Sequence, residues 1–158
     1  MKRLIFILIP FFLFLSCSTD PEKNKLLEAK IDGQIYSFNG FAEKYTDYVN
    51  NQKTGYEYQV YNHDRHSFLI EAYDETFTKM LFNFPEFEAQ YVVELDGGQS
   101  KTYRAVSGRF RILGTEQGNL RGDFSFKAKN IVNPLDSVMI TEGYFDIFME
   151  TSDRTFPK

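Results

Sequence analysis

Tryptophan is absent from this chain of 158 residues, cysteine occurs once, at Cys17, and proline only five times. A lone cysteine excludes an intramolecular disulfide and a cysteine-built metal cluster. No apolar run reaches the roughly 17–25 residues needed to span a bilayer as a helix. The chain has no glycine-rich phosphate loop between a strand and a helix, and no Gly-x-Ser-x-Gly elbow for a nucleophilic serine. Positive charge is also short, with 18 basic against 22 acidic residues. That balance excludes nucleic acid as a partner, because phosphates must be neutralised by Lys and Arg. It argues equally against holding an anionic membrane by a basic patch.

The apolar residues that are present are segregated at the start. Lys2 and Arg3 precede twelve uninterrupted apolar residues, Leu4 to Leu15, with Pro10 in the middle; Ser16 and Cys17 follow. A short positive segment, an apolar stretch of this length and a small residue before the boundary make an export signal. Ser16-Cys17 resembles the lipobox read by lipoprotein signal peptidase, in the relaxed form usual among Bacteroidota, with Phe14 where Leu is commonest. Residues 1–16 are therefore expected to be removed, and Cys17 to carry the acyl chains. Lipidation also explains how an exported protein carries one unpaired thiol. The shortened chain has 16 basic and 22 acidic residues. Residues 17–26 read as the lipidated cysteine and a polar tether, and 27–158 as a single domain. Ser18-Thr-Asp-Pro-Glu22 resembles the acidic tract of surface-exposed Bacteroidota lipoproteins, so outer membrane is the expected address, in either the periplasmic or the surface-facing leaflet.

From Leu27 onward the dominant period is two, the mark of half-buried strands. Leu120, Gly122, Phe124, Phe126 and Ala128 fall on one face, with Arg121, Asp123, Ser125, Lys127 and Lys129 on the other. Asp32-Gly33 predicts a tight hairpin between Leu27–Ile31 and Ile35–Phe38. Gly97-Gly98, residues 114–119, residues 130–136 and Glu142-Gly143 mark further turns. Tyr56–Tyr61, Ser67–Tyr73 and Lys79–Phe84 read as strands, and Pro85 should interrupt pairing. Phe41, Tyr45, Tyr48 and Val49 also fit one helical face, so a minor helix over 41–49 is the alternative there. The sum is an all-β domain of about ten strands, mostly a meander, forming an antiparallel sandwich or flattened barrel.

Three segments carry a likeness: Gly108–Leu113, Asn119–Ala128 and Val138–Ile147. Their G-x-F-x-F-x-A and V-x-I-T-x-G-x-F patterns resemble a domain-of-unknown-function family of small Bacteroidota lipoproteins. The Ile31–Phe38 hairpin resembles the opening of the same family. The likeness implies the same fold and envelope address and assigns no catalytic residue.

Chemistry-bearing residues are sparse. His63 and His66 are the only histidines, and with Asp64 or Glu71 they are candidate metal ligands. Zinc needs three or four ligands, and a polar hairpin loop is the simpler reading. The pairs Glu57/Glu71 and Glu86/Glu88 could flank a glycosidic bond, as acid catalysis requires, but acids are common enough here for such pairs to arise by chance. Tyrosine is the remaining excess: Tyr45, Tyr48, Tyr56, Tyr58, Tyr61 and Tyr73 hold six of ten. Tyrosine is enriched at contact surfaces, though strands also use it for cross-strand packing. The sequence thus predicts a non-catalytic, lipid-anchored binding domain with no cofactor. Its expected partners are the membrane, through Cys17, and an envelope or extracellular protein or glycan. A lipocalin-like carrier of a small apolar ligand and an envelope hydrolase or metal-binding protein are the alternatives.

Overall fold

The structure, a computed structural model, describes residues 25–116 and 118–156. The expected signal over residues 1–16, Cys17, and residues 18–24 of the expected tether lie outside the described residues. Ten strands follow one another: β1 (Lys25–Ile31), β2 (Gln34–Asn39), β3 (Phe41–Val49), β4 (Gln52–Tyr61), β5 (His66–Asp74), β6 (Leu81–Asn83), β7 (Phe87–Glu94), β8 (Ser100–Glu116), β9 (Asn119–Asn130) and β10 (Ser137–Phe156). All belong to one sheet. The all-β reading holds, as does the meander.

Two local expectations are corrected. Residues 41–49 form strand β3, and not a helix. They pair with β4 on one side and β10 on the other, so both backbone edges are satisfied, which an isolated helical turn of Tyr, Thr and Val could not match. Glu142-Gly143 is no turn: it is a bulge inside β10, where the register shifts between Ile140 and Gly143 and Glu142 has φ 51°. Strand β8 also bends without ending. Its register shift between Ala105 and Ser107 precedes Gly108, whose φ is 139°. A Cβ at Gly108 would sit 2.3 Å from the Ser125 carbonyl oxygen, so only glycine fits that bend.

The ladders run β3–β4–β5–β7–β8–β9–β10 and return to β3, closing a circuit. Closure depends on β10. Residues 137–148 pair with β9, and residues 149–156 pair in parallel with β3; every other ladder is antiparallel. The β1–β2 hairpin extends the sheet from the first half of β10. It folds back so that Phe38 meets the Phe68 ring edge-on at 5.5 Å.

Alternation places one face of each strand inside. Seven phenylalanines are essentially fully buried: Phe68, Phe82, Phe87, Phe110, Phe124, Phe126 and Phe145. Most of them form a continuous string, with centroid spacings of 6.0 Å for Phe82–Phe110, 5.5 Å for Phe110–Phe145, 6.5 Å for Phe145–Phe124 and 5.9 Å for Phe124–Phe68. Each ring contributes about 1.5–3 kcal/mol by leaving water. Gly122 is part of this packing: a Cβ there would lie 2.2 Å from the Phe145 ring. These aromatic side chains pack into one hydrophobic cluster inside the circuit.

Candidate functional site

The outer face of β3, β4, β5 and β7 is where the sequence's Tyr-rich segment lies. Ala42, Val60, Ile70 and Ala89 form one cross-strand row inside. Period two then sends their neighbours outward in parallel rows. Phe41, Tyr61, Leu69 and Gln90 make one row; Glu43, Gln59, Glu71 and Glu88 make the next; Tyr45, Glu57 and Tyr73 make a third. The last segment of β10 adds Glu150 opposite Glu43, Ser152 opposite Tyr45 and Arg154 opposite Asp47.

Two like-charged pairs therefore face each other directly, Glu71 with Glu88 and Glu43 with Glu150. Like charges in direct cross-strand register destabilise a sheet. Gln59 relieves part of this, its side-chain amide donating to Glu57 at 2.6 Å and to Glu71 at 3.0 Å. The Tyr61 and Tyr45 hydroxyls both donate to Glu43, the first at 2.5 Å. Arg154 donates to Asp47 at 2.9 Å and also bonds Glu57, and its guanidinium lies 4.1 Å from the Tyr45 ring centre. Arg154 serves Asp47 and Glu57, which leaves Glu71 and Glu88 without an ion pair among the described residues. Burial, and then the charges of Glu57 and Glu88, hold the Glu71 carboxyl above its ordinary range. The bond to Glu43, with burial behind it, pushes the Tyr61 hydroxyl up to about 12.

A groove of about 400 Å3 opens at one side of this face, lined by Glu57, Glu71, Tyr73, Pro85, Glu86 and Glu88 among others. Both glutamate pairs singled out in the sequence, Glu57/Glu71 and Glu86/Glu88, thus reach one groove. Their environments differ. Glu86 receives bonds from Lys79 at 2.7 Å and the Asn83 amide at 3.0 Å, which hold it below the ordinary range, whereas Glu71 is held above it.

The six tyrosines do not form one surface. Tyr45, Tyr61 and Tyr73 are on the outer face, where the Tyr73 ring covers Gly55. Tyr58 is 6% exposed and belongs to the core; burial, then Asp74, pushes its hydroxyl up to about 12. Tyr56 also points inward, at the end of the circuit. Lys44 and Lys53 stand 3.5 and 4.0 Å from its ring centre, and a bond from Lys53 lowers its pKa. Tyr48 closes β3 opposite Lys53.

The two histidines are separated in the same way. His63 packs on the outward rings of Phe41 and Tyr61. His66 stacks between Tyr36 and Tyr91 at 4.7 and 5.9 Å, its Nδ1 2.5 Å from the Tyr91 hydroxyl. Burial, and secondarily Arg65, lowers the His66 pKa. The two rings sit in different aromatic settings, and no group of three or more His, Cys, Asp or Glu among the described residues could hold a metal ion.

Glu43, Gln59, Glu150 and Arg154 were missed by sequence reasoning. Their only sequence signal is parity: Glu43 and Tyr45, or Glu57, Gln59 and Tyr61, alternate with inward residues. Grouping them needs the β10–β3 pairing across more than a hundred residues. Comparison with known proteins finds no matching family, no similar curated protein and no similar solved structure.

Proposed function

We propose that this chain is a lipid-anchored lipoprotein of the bacterial envelope that acts by binding, with the outer face of β3–β4–β5–β7 as its contact surface for a basic segment of an envelope or extracellular protein. The observation that carries this is Glu71 directly opposite Glu88, with Glu57 beside them, and neither Glu71 nor Glu88 in an ion pair among the described residues. Carboxylates held together at a cost to the sheet are relieved by an incoming Lys or Arg. The flanking Tyr45, Tyr61 and Tyr73 rings offer a rigid surface for the same groups. The anchor follows from Cys17: an apolar run too short to span a membrane precedes it, and polar residues 18–24 separate it from β1.

Calorimetric titration of the processed protein with an oligolysine peptide tests the surface. Affinity should fall as salt rises, and Glu57→Gln, Glu71→Gln and Glu88→Gln together should weaken it about tenfold or more. Unchanged affinity in the triple variant rejects the surface. For the anchor, Cys17→Ser should abolish membrane association while the domain still folds; normal anchoring of that variant rejects the lipid.

A second reading has one observation in its favour, the opposed shifts of Glu71 and Glu86 in one groove. Carboxyls pushed apart in this way can serve as acid and base. Hydrolysis of envelope polysaccharide that is lost in both Glu71→Gln and Glu86→Gln would support it, and absence of any cleavage rejects it.

A further inference from the structure

The charge balance hides a second surface. At the end of the circuit where β9 turns into β10, residues 131–135 present Val132 at 87% and Leu135 at 95% exposure, with Ile131 and Met139 beside them, also exposed. Single exposed aliphatic side chains are ordinary, but a group of them on one rim marks a contact site for protein or membrane. The loop is nonetheless stiffly built. The Asn130 side-chain oxygen accepts from the Val132 and Asn133 amides at 2.8 and 2.9 Å. Backbone bonds join Asn130 to Asp136 and Ile131 to Thr102. The Asp136 carboxylate is occupied by Lys101 at 2.9 Å and the Tyr103 hydroxyl at 3.0 Å. The two aliphatic tips are held out in water by a network that fixes their position.

Directly behind the tips, on the outer face of β8–β9, lie Arg104, Lys127 and Lys129. Arg104 is opposite Lys129 in register. None of the three has an ion-pair partner among the described residues, whereas Arg109, Arg111 and Arg121 on the same face are all paired. Other acids at this end are engaged elsewhere: Asp96 by Arg65 and Glu142 by Lys30, while Asp32 accepts from the Met139 amide. Asp64 lies in the turn before β5; Glu94 ends β7 opposite Ser100, and Arg104 on the neighbouring strand stands opposite Gln90.

We infer that this rim is a membrane-contact surface: Val132 and Leu135 enter the interface of an anionic phospholipid bilayer, and Arg104, Lys127 and Lys129 meet its phosphates. Depth supports the assignment. At about 3.3 Å per residue, Lys129 and Arg104 lie roughly 7–10 Å behind the tips, the depth to which interfacial elements bury their apolar face. A protein partner would need a pocket shaped for two separate tips; a bilayer needs only softness and negative charge. The net negative charge of the whole chain does not oppose this, since screening confines each patch to about 8–10 Å. The rim does not rest on the lipid-anchor reading: β1 begins at Lys25, opposite Ile147, and meets the rim only at its other end, where Ile31 is opposite Ile140.

The test uses the processed full protein carrying Leu135→Cys, labelled with the environment-sensitive fluorophore NBD, in vesicles of phosphatidylethanolamine and phosphatidylglycerol. Emission should shift to the blue in these vesicles, less in phosphatidylcholine, and revert when Arg104, Lys127 and Lys129 are all changed to Gln. A label at Ser152→Cys, on the far end of β10, should stay in water. Equal emission at the two positions, or in the two kinds of vesicle, overturns the proposal. The parent protein tests the anchor separately, because it takes up label only if Cys17 is free; in that case the rim is read in a Cys17→Ser background.

Discussion

The outer faces of β8–β9 and of β3–β4–β5–β7 share one interior and one pleat, yet they arrange charge in opposite ways. On β8–β9, Asp123 takes Arg111 and Arg109, and Arg121 bridges Glu116 and Asp146. Opposite signs meet across most of that face, and only at the rim does Arg104 stand opposite Lys129, with Lys127 near them. On β3–β4–β5–β7, glutamates stand opposite glutamates, and Arg154 bonds Asp47 and Glu57 but neither Glu71 nor Glu88 among the described residues. The first pattern supports the sheet. The second opposes it, and a cationic partner reverses that opposition. Where register sets like charges together, a face is better explained by what it binds than by what it stabilises.

Breaking what the faces share should have the largest effect. Phe124→Ala empties the middle of the ring string and should cost about 3–5 kcal/mol, read as an earlier urea midpoint with little change in slope. An unaltered midpoint would mean the interior can collapse around the loss. Asp123→Ala, confined to the supporting face, should cost less, about 1–2 kcal/mol, by leaving Arg109 and Arg111 without their carboxylate. Stability equal to the parent would place those arginines among surface pairs that contribute nothing.

Glu71→Gln should act in the opposite direction and raise the melting temperature at neutral pH by roughly 1–3 °C. The sign follows from proton binding. The folded Glu71 carboxyl holds its proton more tightly than the unfolded one, so its contribution to stability is full below the ordinary value of 4.5 and is lost as pH rises through the higher folded value. The melting-temperature gain of the variant should therefore shrink toward pH 4. His66 runs the other way: with its folded pKa lowered, stability is lost as pH falls below 6.5, and His66→Gln should flatten that slope. The smallest effect is optical. In a spectrophotometric titration Tyr56 should ionise first, well before Tyr58 and Tyr61 near 12.

The fold was legible where parity and turn chemistry agreed. Leu120 to Ala128 alternates in the structure as in the sequence, and Asp32-Gly33 closes the expected hairpin with φ of 47° and 89°. Legibility failed where a strand bends without ending. At Glu142-Gly143 the residues that signal a turn instead make a bulge, because partners on both sides carry the ladder across. It failed for β3 because Phe41, Tyr45, Tyr48 and Val49 satisfy two periods at once, and only β4 and β10 decide between them. The candidate site was half visible. Glu57, Glu71, Glu86 and Glu88 could be paired by eye, and the tyrosines counted. Which tyrosines face out follows from parity only once β3 is known to be a strand, and Arg154 joins the site only through the parallel pairing of the two chain ends.

The most direct test of the binding-face account is the melting temperature of a Glu71→Gln, Glu88→Gln double variant, measured with and without the oligolysine peptide. Without peptide the variant should melt higher than the parent, and peptide should raise the parent's melting temperature more than the variant's. A variant that melts lower than the parent, yet gains as much from the peptide, contradicts the account.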